Sequence, residues 1–151
     1  MKIKQANSYA MHALMYMVRH VTQGPVTIQA IAKAESIPYR QLVSIFKLLT
    51  DAGIVKAADS GKSGYVFAKP PGKVSLLELF QLVEGESIFD ECFMKHCDCQ
   101  ATIDTCKIYE TWKKATASVA RQLSEITIES AAWGHPEHYF PNNLKEPSDK
   151  D

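Results

Sequence analysis

The chain has 151 residues, 46% hydrophobic and 23% charged, with a formal net charge of zero. That length holds one compact domain, or a small domain plus an oligomerisation element, and the apolar share supports a real core. Neutrality hides a split: residues 1–70 carry nine Lys/Arg against three acids, net +6, and residues 71–151 carry eight against fourteen, net −6. A basic half suits a polyanion and an acidic half turns away from one, which favours nucleic acid over a membrane partner.

The opening Met1-Lys2-Ile3-Lys4-Gln5 leads into an amphipathic stretch and not into the apolar core of a secretory signal. No run reaches transmembrane length. A cytoplasmic protein is expected, in a compartment where structural disulfides are rare.

Residues 6–21 read as a helix with Ala6, Tyr9, Ala10, Ala13, Leu14, Met17, Val18 and Val21 on an apolar stripe. His12 and His20 read as surface or capping histidines, because neither has a second ligand nearby in sequence. Gln23-Gly24-Pro25 closes this helix. Thr27 is an N-cap for a short helix bearing Ile28, Ile31 and Ala32. Ser36-Ile37-Pro38 breaks that helix and starts another, since proline is tolerated in a first turn. This second helix runs from Tyr39 to Ala52, with Leu42, Ile45, Phe46 and Leu49 on one side. Arg40, Ser44, Lys47 and Asp51 fall on the other, and Gly53 is a stop. Ile54 to Ala58 reads as a strand, Asp59 to Gly64 as a turn and Tyr65 to Ala68 as the return strand.

Two helices joined by a tight turn, the second amphipathic and partly basic, with a hairpin behind them, have the shape of a winged helix-turn-helix. A helix fits the major groove, so side chains near its N-terminus reach base edges. A Gly/Ser/Lys hairpin tip has little bulk and offers backbone N–H groups to phosphates.

Beyond a Pro70-Pro71-Gly72 hinge, Ser75 and Glu78 have capping-box spacing, ahead of Leu76, Leu77, Leu79, Phe80, Leu82 and Val83. This helix is expected to pack on the first. From Glu86 to Thr105 regular periodicity fails, and all four cysteines (Cys92, Cys97, Cys99 and Cys106) lie in or beside this loop. Long irregular loops in small domains are usually functional or disordered. Iron–sulfur ligation, zinc with His96, a reversible disulfide and four free thiols all remain open on spacing alone.

Residues from Lys107 to Ala132 read as one long helix. Ile108, Trp112, Ala115, Val119 and Ile126 step at coiled-coil intervals, so a homodimer is expected. The domain plan is therefore a winged-helix unit at 1–85, a cysteine loop at 86–106, a dimerisation helix at 107–132 and a tail at 133–151. Residues beyond Asn142 are expected to lack fixed structure. The fold class is mainly α. No nucleophile–base pair and no phosphate-binding glycine loop is present, so an enzyme is not expected.

The order of these elements resembles the Rrf2 family of bacterial winged-helix regulators. The residues that carry the likeness include Tyr9-Ala10, Gly24-Pro25-Val26, Ile31-Ala32, Ala52-Gly53-Ile54-Val55-Lys56, Gly64-Tyr65, Leu82-Val83-Glu84-Gly85, the cysteine loop, Trp112 and Ile126-Thr127. The resemblance implies a dimeric transcription factor on a double-stranded DNA operator. Its reading helix would use Pro38, Tyr39, Arg40, Gln41 and Ser44, with Lys47 on the same face. Lys2 and a wing of Ser60, Gly61, Lys62, Ser63, Gly64 and Tyr65 would add contacts. It further implies an iron–sulfur cluster on Cys92, Cys99 and Cys106, [2Fe–2S] ahead of [4Fe–4S], with zinc or no cofactor as alternatives.

The chain departs from the family in three places. Asp59 stands where the wing commonly has Arg. Tyr109 stands where one branch has a histidine ligand, and Ser8 where the nitric-oxide-sensing branch has an acid. Cys97 is the expected fourth ligand, ahead of His96 and Asp98. The implied function is a repressor that senses redox, nitric oxide or iron–sulfur status. A cluster-free thiol switch or a zinc-bound regulator is the alternative.

Overall fold

The computed structural model describes residues 3–59, 63–92 and 99–134. The expectations for Lys2, Ser60, Gly61, Lys62, His96, Cys97, Asp98 and the tail past Gly134 lie outside the described residues.

Helix α1 (Gln5–Arg19) is the central strut. Its stripe buries Ala10, Ala13, Leu14, Met17 and Val18 against α2 (Ile28–Glu35), α3 (Tyr39–Asp51), α4 (Leu76–Glu84) and α6 (Ile128–Gly134). Its N-terminus is pinned to the end of α4: the Lys4 backbone N–H donates to the Glu84 carboxylate at 2.7 Å and Lys4 Nζ to the Val83 carbonyl at 3.1 Å. Helix α2 starts as expected, with Thr27 Oγ1 accepting from the Ala30 N–H at 3.1 Å. It ends where Ser36 takes a left-handed conformation (φ 54°), which lets the Ile37 N–H reach the Ala32 carbonyl at 3.1 Å. Leu42, Ile45, Phe46 and Leu49 of α3 then fill the core, each nearly or fully inaccessible. Burying a side chain of this size stabilises the fold by about 1.5–3 kcal/mol.

Strands β1 (Val55–Ala57) and β2 (Tyr65–Phe67) pair antiparallel, with Val55 opposite Phe67 and Ala57 opposite Tyr65. A third backbone segment joins them. Val26 and Tyr65 exchange two hydrogen bonds, at 3.0 and 2.8 Å, so the base of the wing is laced to the α1–α2 connection. Gly64 permits this at φ +125°, because a Cβ there would stand 2.9 Å from the Val26 backbone.

Two expectations change. Ser75 caps α4 as read, accepting from the Glu78 N–H at 3.0 Å, but the Glu78 carboxylate pairs with Lys69 Nζ at 2.8 Å across the hinge. The long C-terminal helix is broken: α5 runs Lys107–Glu125, Ile126 is extended, and α6 restarts at Ile128. The cause is competition for backbone partners. The Leu76 N–H donates to the Ile126 carbonyl and the Ile128 N–H to the Val74 carbonyl, both at 2.9 Å. Thr127 and Ser130 cap the new helix reciprocally at 3.1 Å. Ile128 and Ala132 are then fully buried on α1, and Arg19 donates to the Ala132 carbonyl.

Candidate functional site

Amphipathicity sets the first candidate surface. With its apolar side in the core, α3 leaves Tyr39, Arg40, Gln41, Val43, Ser44 and Lys47 exposed, and Pro38 stands exposed at its N-cap. The fold therefore brings Pro38, Tyr39, Arg40, Gln41, Ser44 and Lys47 onto one solvent-facing helix. On the wing, Ser63 is exposed. Tyr65 is half-buried, and its ring packs on Phe46 with centroids 4.8 Å apart. Tyr65 thus supports the wing through its ring and its backbone. Sequence reading missed Val43, whose apolar character hid it among core positions; its phase on the helix was the available signal.

His12 and His20 are structural. His12 Nδ1 lies 3.3 Å from Glu35, whose side chain is 2% exposed, so the pair ties α1 to α2. His20 Nδ1 meets the Tyr16 carbonyl at 2.8 Å and its ring stacks on Tyr16. Burial, and secondarily the charge of Glu35, holds the Tyr16 phenol above its ordinary pKa.

The second candidate site is the cysteine loop. Cys92, Cys99 and Cys106 are free thiols, and all three line one cavity of about 300 Å³ together with Asp90, Glu91, Ala101, Ile108 and Tyr109. Among the described residues no three His, Cys, Asp or Glu side chains stand at metal-holding spacing. Three cysteine sulfurs around one cavity are the donor type of a thiolate-held iron–sulfur group.

Both ends of this site are anchored to α5. Cys106 is its N-cap residue. The segment before Cys92 lies along the helix and is held by side chains of successive turns. Tyr109 Oη donates to the Asp90 carbonyl at 3.4 Å and Trp112 Nε1 to the Glu91 carbonyl at 2.7 Å. Lys113 Nζ pairs with the Asp90 carboxylate at 2.7 Å, and this bond raises the lysine pKa. Thr116, 2% exposed, places its hydroxyl 3.2 Å from the Phe89 carbonyl. Spacings of three and four put these side chains on one helix face.

Thr116→Val keeps the shape and removes the hydroxyl. An unmet buried carbonyl costs about 1–3 kcal/mol. The expected result is a lower melting temperature and faster alkylation of Cys92 relative to Cys99, read by mass spectrometry. Unchanged labelling would mean that Thr116 does not hold the segment.

The adjoining face of α5 is open, with Trp112 at the boundary between the two. Ile108 is 50% exposed, Val119 45% and the following Ile126 43%. Lys107, Ile108, Thr111, Trp112 and Ala115 line a groove along it. No helix among the described residues is long and apolar enough to cross a membrane.

Comparison with known proteins agrees with this architecture. The sequence profile of the Rrf2 family, described as "Iron-dependent Transcriptional regulator", matches residues 3–132. The HTH-type transcriptional regulator IscR of Xenorhabdus nematophila is 23% identical over 129 residues, covering 85% of this chain and 77% of the relative. Among solved structures, CymR, the global cysteine regulator of B. subtilis, superposes with a TM-score of 0.70 at 20% identity, over 88% of this chain and 97% of that one. IscR of T. potens gives a TM-score of 0.71 at 20% identity, over 93% of each chain.

Proposed function

The chain belongs to the Rrf2 family of transcriptional regulators, and on that premise we propose that it is a cytoplasmic homodimeric repressor whose grip on DNA is set at its cysteine loop. Its family and relatives are transcriptional regulators, not enzymes. The observation that carries the sensing part is the single cavity shared by Cys92, Cys99 and Cys106 at the start of α5.

The exposed face of α3 enters the major groove, where Arg40 donates to a guanine edge and Gln41 and Ser44 contact neighbouring bases or phosphates. Lys2, Lys47 and the wing residues Ser60, Gly61, Lys62, Ser63 and Gly64 lie along the backbone. Helix α5 has 19 residues, about 28 Å at 1.5 Å per residue, and its open apolar face pairs with the same face of a second copy. Cys92, Cys99 and Cys106 would hold the iron–sulfur group, with Cys97 as the fourth ligand. When bound, the group supplies a centre that reacts with oxidants and nitric oxide. This chain's own part is mechanical: Cys106 and the Phe89–Glu91 segment are fixed to α5, so loop order is passed to the dimer helix. That helix sets the spacing of the two reading heads, on which binding to a palindrome depends.

Absorption spectra with iron and sulfide analysis on protein purified without oxygen test this reading. Visible bands with matched iron and sulfide, lost in Cys92→Ala, Cys99→Ala and Cys106→Ala, are expected. Variants that bind DNA and respond to oxidant like the parent would sink it. The three free thiols also favour a second reading, a cluster-free thiol switch or a zinc-bound regulator, which a colourless protein would select.

Two substitutions separate base reading from phosphate contact. Arg40→Ala is expected to lose about 1–3 kcal/mol of discrimination at one base pair. Lys62→Ala is expected to weaken all sequences alike and to lower the salt slope by about one. Affinities measured across a salt series decide both, and an unchanged slope would count against the wing contact.

A further inference from the structure

The exposed face of α3 is not uniformly hydrogen-bonding. Val43 is 42% exposed and Tyr39, one turn before it, is 48% exposed. At 100° per residue Val43 lies about 60° around the helix from Arg40, within the same solvent-facing arc. An exposed β-branched residue in a helix interior adds little to folding, since its propensity is low and its apolar surface stays wet. A scattered exposed apolar residue is ordinary. This one stands at i+4 from a second, between Arg40 and Lys47, on the helix of the net-positive half of the chain. Its surroundings are therefore complementary to a polyanion carrying an apolar spot. Double-stranded DNA offers one such spot in its major groove, the C5-methyl group of thymine.

We propose that Val43 is a specificity-determining residue that reads a thymine methyl group, with the Tyr39 ring closing the far side of that contact. The inference rests on the assignment of α3 as the reading helix and names a base feature that this helix recognises. Arg40 donates hydrogen bonds and so distinguishes acceptor patterns. Val43 distinguishes thymine from a pyrimidine with the same hydrogen-bonding edge and no methyl group. The two contacts are separable, because one is polar and the other is not.

Deoxyuridine provides the test, since it differs from thymidine only in lacking that methyl group. A duplex is first enriched from a random pool by the full-length protein. Each thymine is then replaced by deoxyuridine, singly and with its symmetry mate, and affinities are measured. One thymine position per half-site is expected to weaken binding about fourfold when replaced, the factor that corresponds to burial of one methyl group at about 0.8 kcal/mol. Replacement in both half-sites is expected to weaken it about fifteenfold, the same factor applied twice. Val43→Ala should abolish that sensitivity while melting with the parent, and Arg40→Ala should retain it. Absence of any sensitive thymine, or sensitivity that persists in Val43→Ala, overturns the proposal while leaving the regulator reading in place. Failure to enrich any duplex at low salt overturns both.

Discussion

Phe46→Ala is expected to remove about 3–5 kcal/mol of folding stability, the usual cost of emptying a buried aromatic site. Phe46 is fully inaccessible, sits on the core side of α3 and packs on Tyr65 of the wing. The substitution therefore takes support from α3 and from the wing base together. Domains of this kind have only about 5–15 kcal/mol in total. The melting temperature should fall by roughly 10–20 °C at the usual few degrees per kcal/mol, measured by circular dichroism. Phe46→Leu keeps most of the volume and should cost less than about 1.5 kcal/mol. If Phe46→Ala cost less than about 1 kcal/mol, the shared core beneath helix and wing would be wrong.

Gly64→Ala should have a smaller effect on the core and a larger one on the wing. Its φ of +125° is reserved for glycine, at about 1–3 kcal/mol for other residues. The added Cβ would also stand 2.9 Å from both the carbon and the oxygen of the Val26 carbonyl. Backbone cannot swing aside as a side-chain tip can, so the two Val26–Tyr65 hydrogen bonds should break or lengthen. Affinity for all DNA sequences should drop together and the salt slope should flatten, because phosphate contacts are lost and base contacts are kept. Gly53→Ala is the control: φ is +73° there but no atom lies within 4 Å of the added Cβ. It should lower stability and leave the salt slope alone. Equal slopes for Gly64→Ala and the parent would show that the wing does not need this docking.

The cysteine loop shows how much of a site was legible. Its location followed from the clustering of four cysteines within fifteen residues. That Cys92, Cys99 and Cys106 share one cavity did not follow, because the loop has no period to give a direction to each side chain. Neither did the row of Tyr109, Trp112, Lys113 and Thr116 along the segment before Cys92. Trp112 was read as a seam residue from its spacing; it lines the open groove with Ile108 and Ala115, and its indole N–H also bonds the Glu91 carbonyl. Helical spacing tells which face a residue lies on and not which neighbour comes to that face.

By itself the amino-acid sequence determined whatever depends on nearby residues. That includes the Thr27 and Ser75 caps, the core stripes of α1 and α3, the hairpin with its turn before Tyr65, the basic half and the apolar spacing along α5. Capping, periodicity and turn chemistry act over a few residues, so they can be read locally. Only the tertiary structure decided the break at Ile126, the bridge from Val26 to Tyr65, the His12–Glu35 tie and the common cavity of the cysteines. Each of these joins segments distant in the chain. At Ile126 the helix pattern continued, but backbone groups at Val74 and Leu76 offered hydrogen bonds, and burial of Ile128 and Ala132 on α1 favoured the break. Local propensity is worth tenths of a kcal/mol per residue and long-range burial about 1.5–3 for each large side chain, so where they disagree the packing wins.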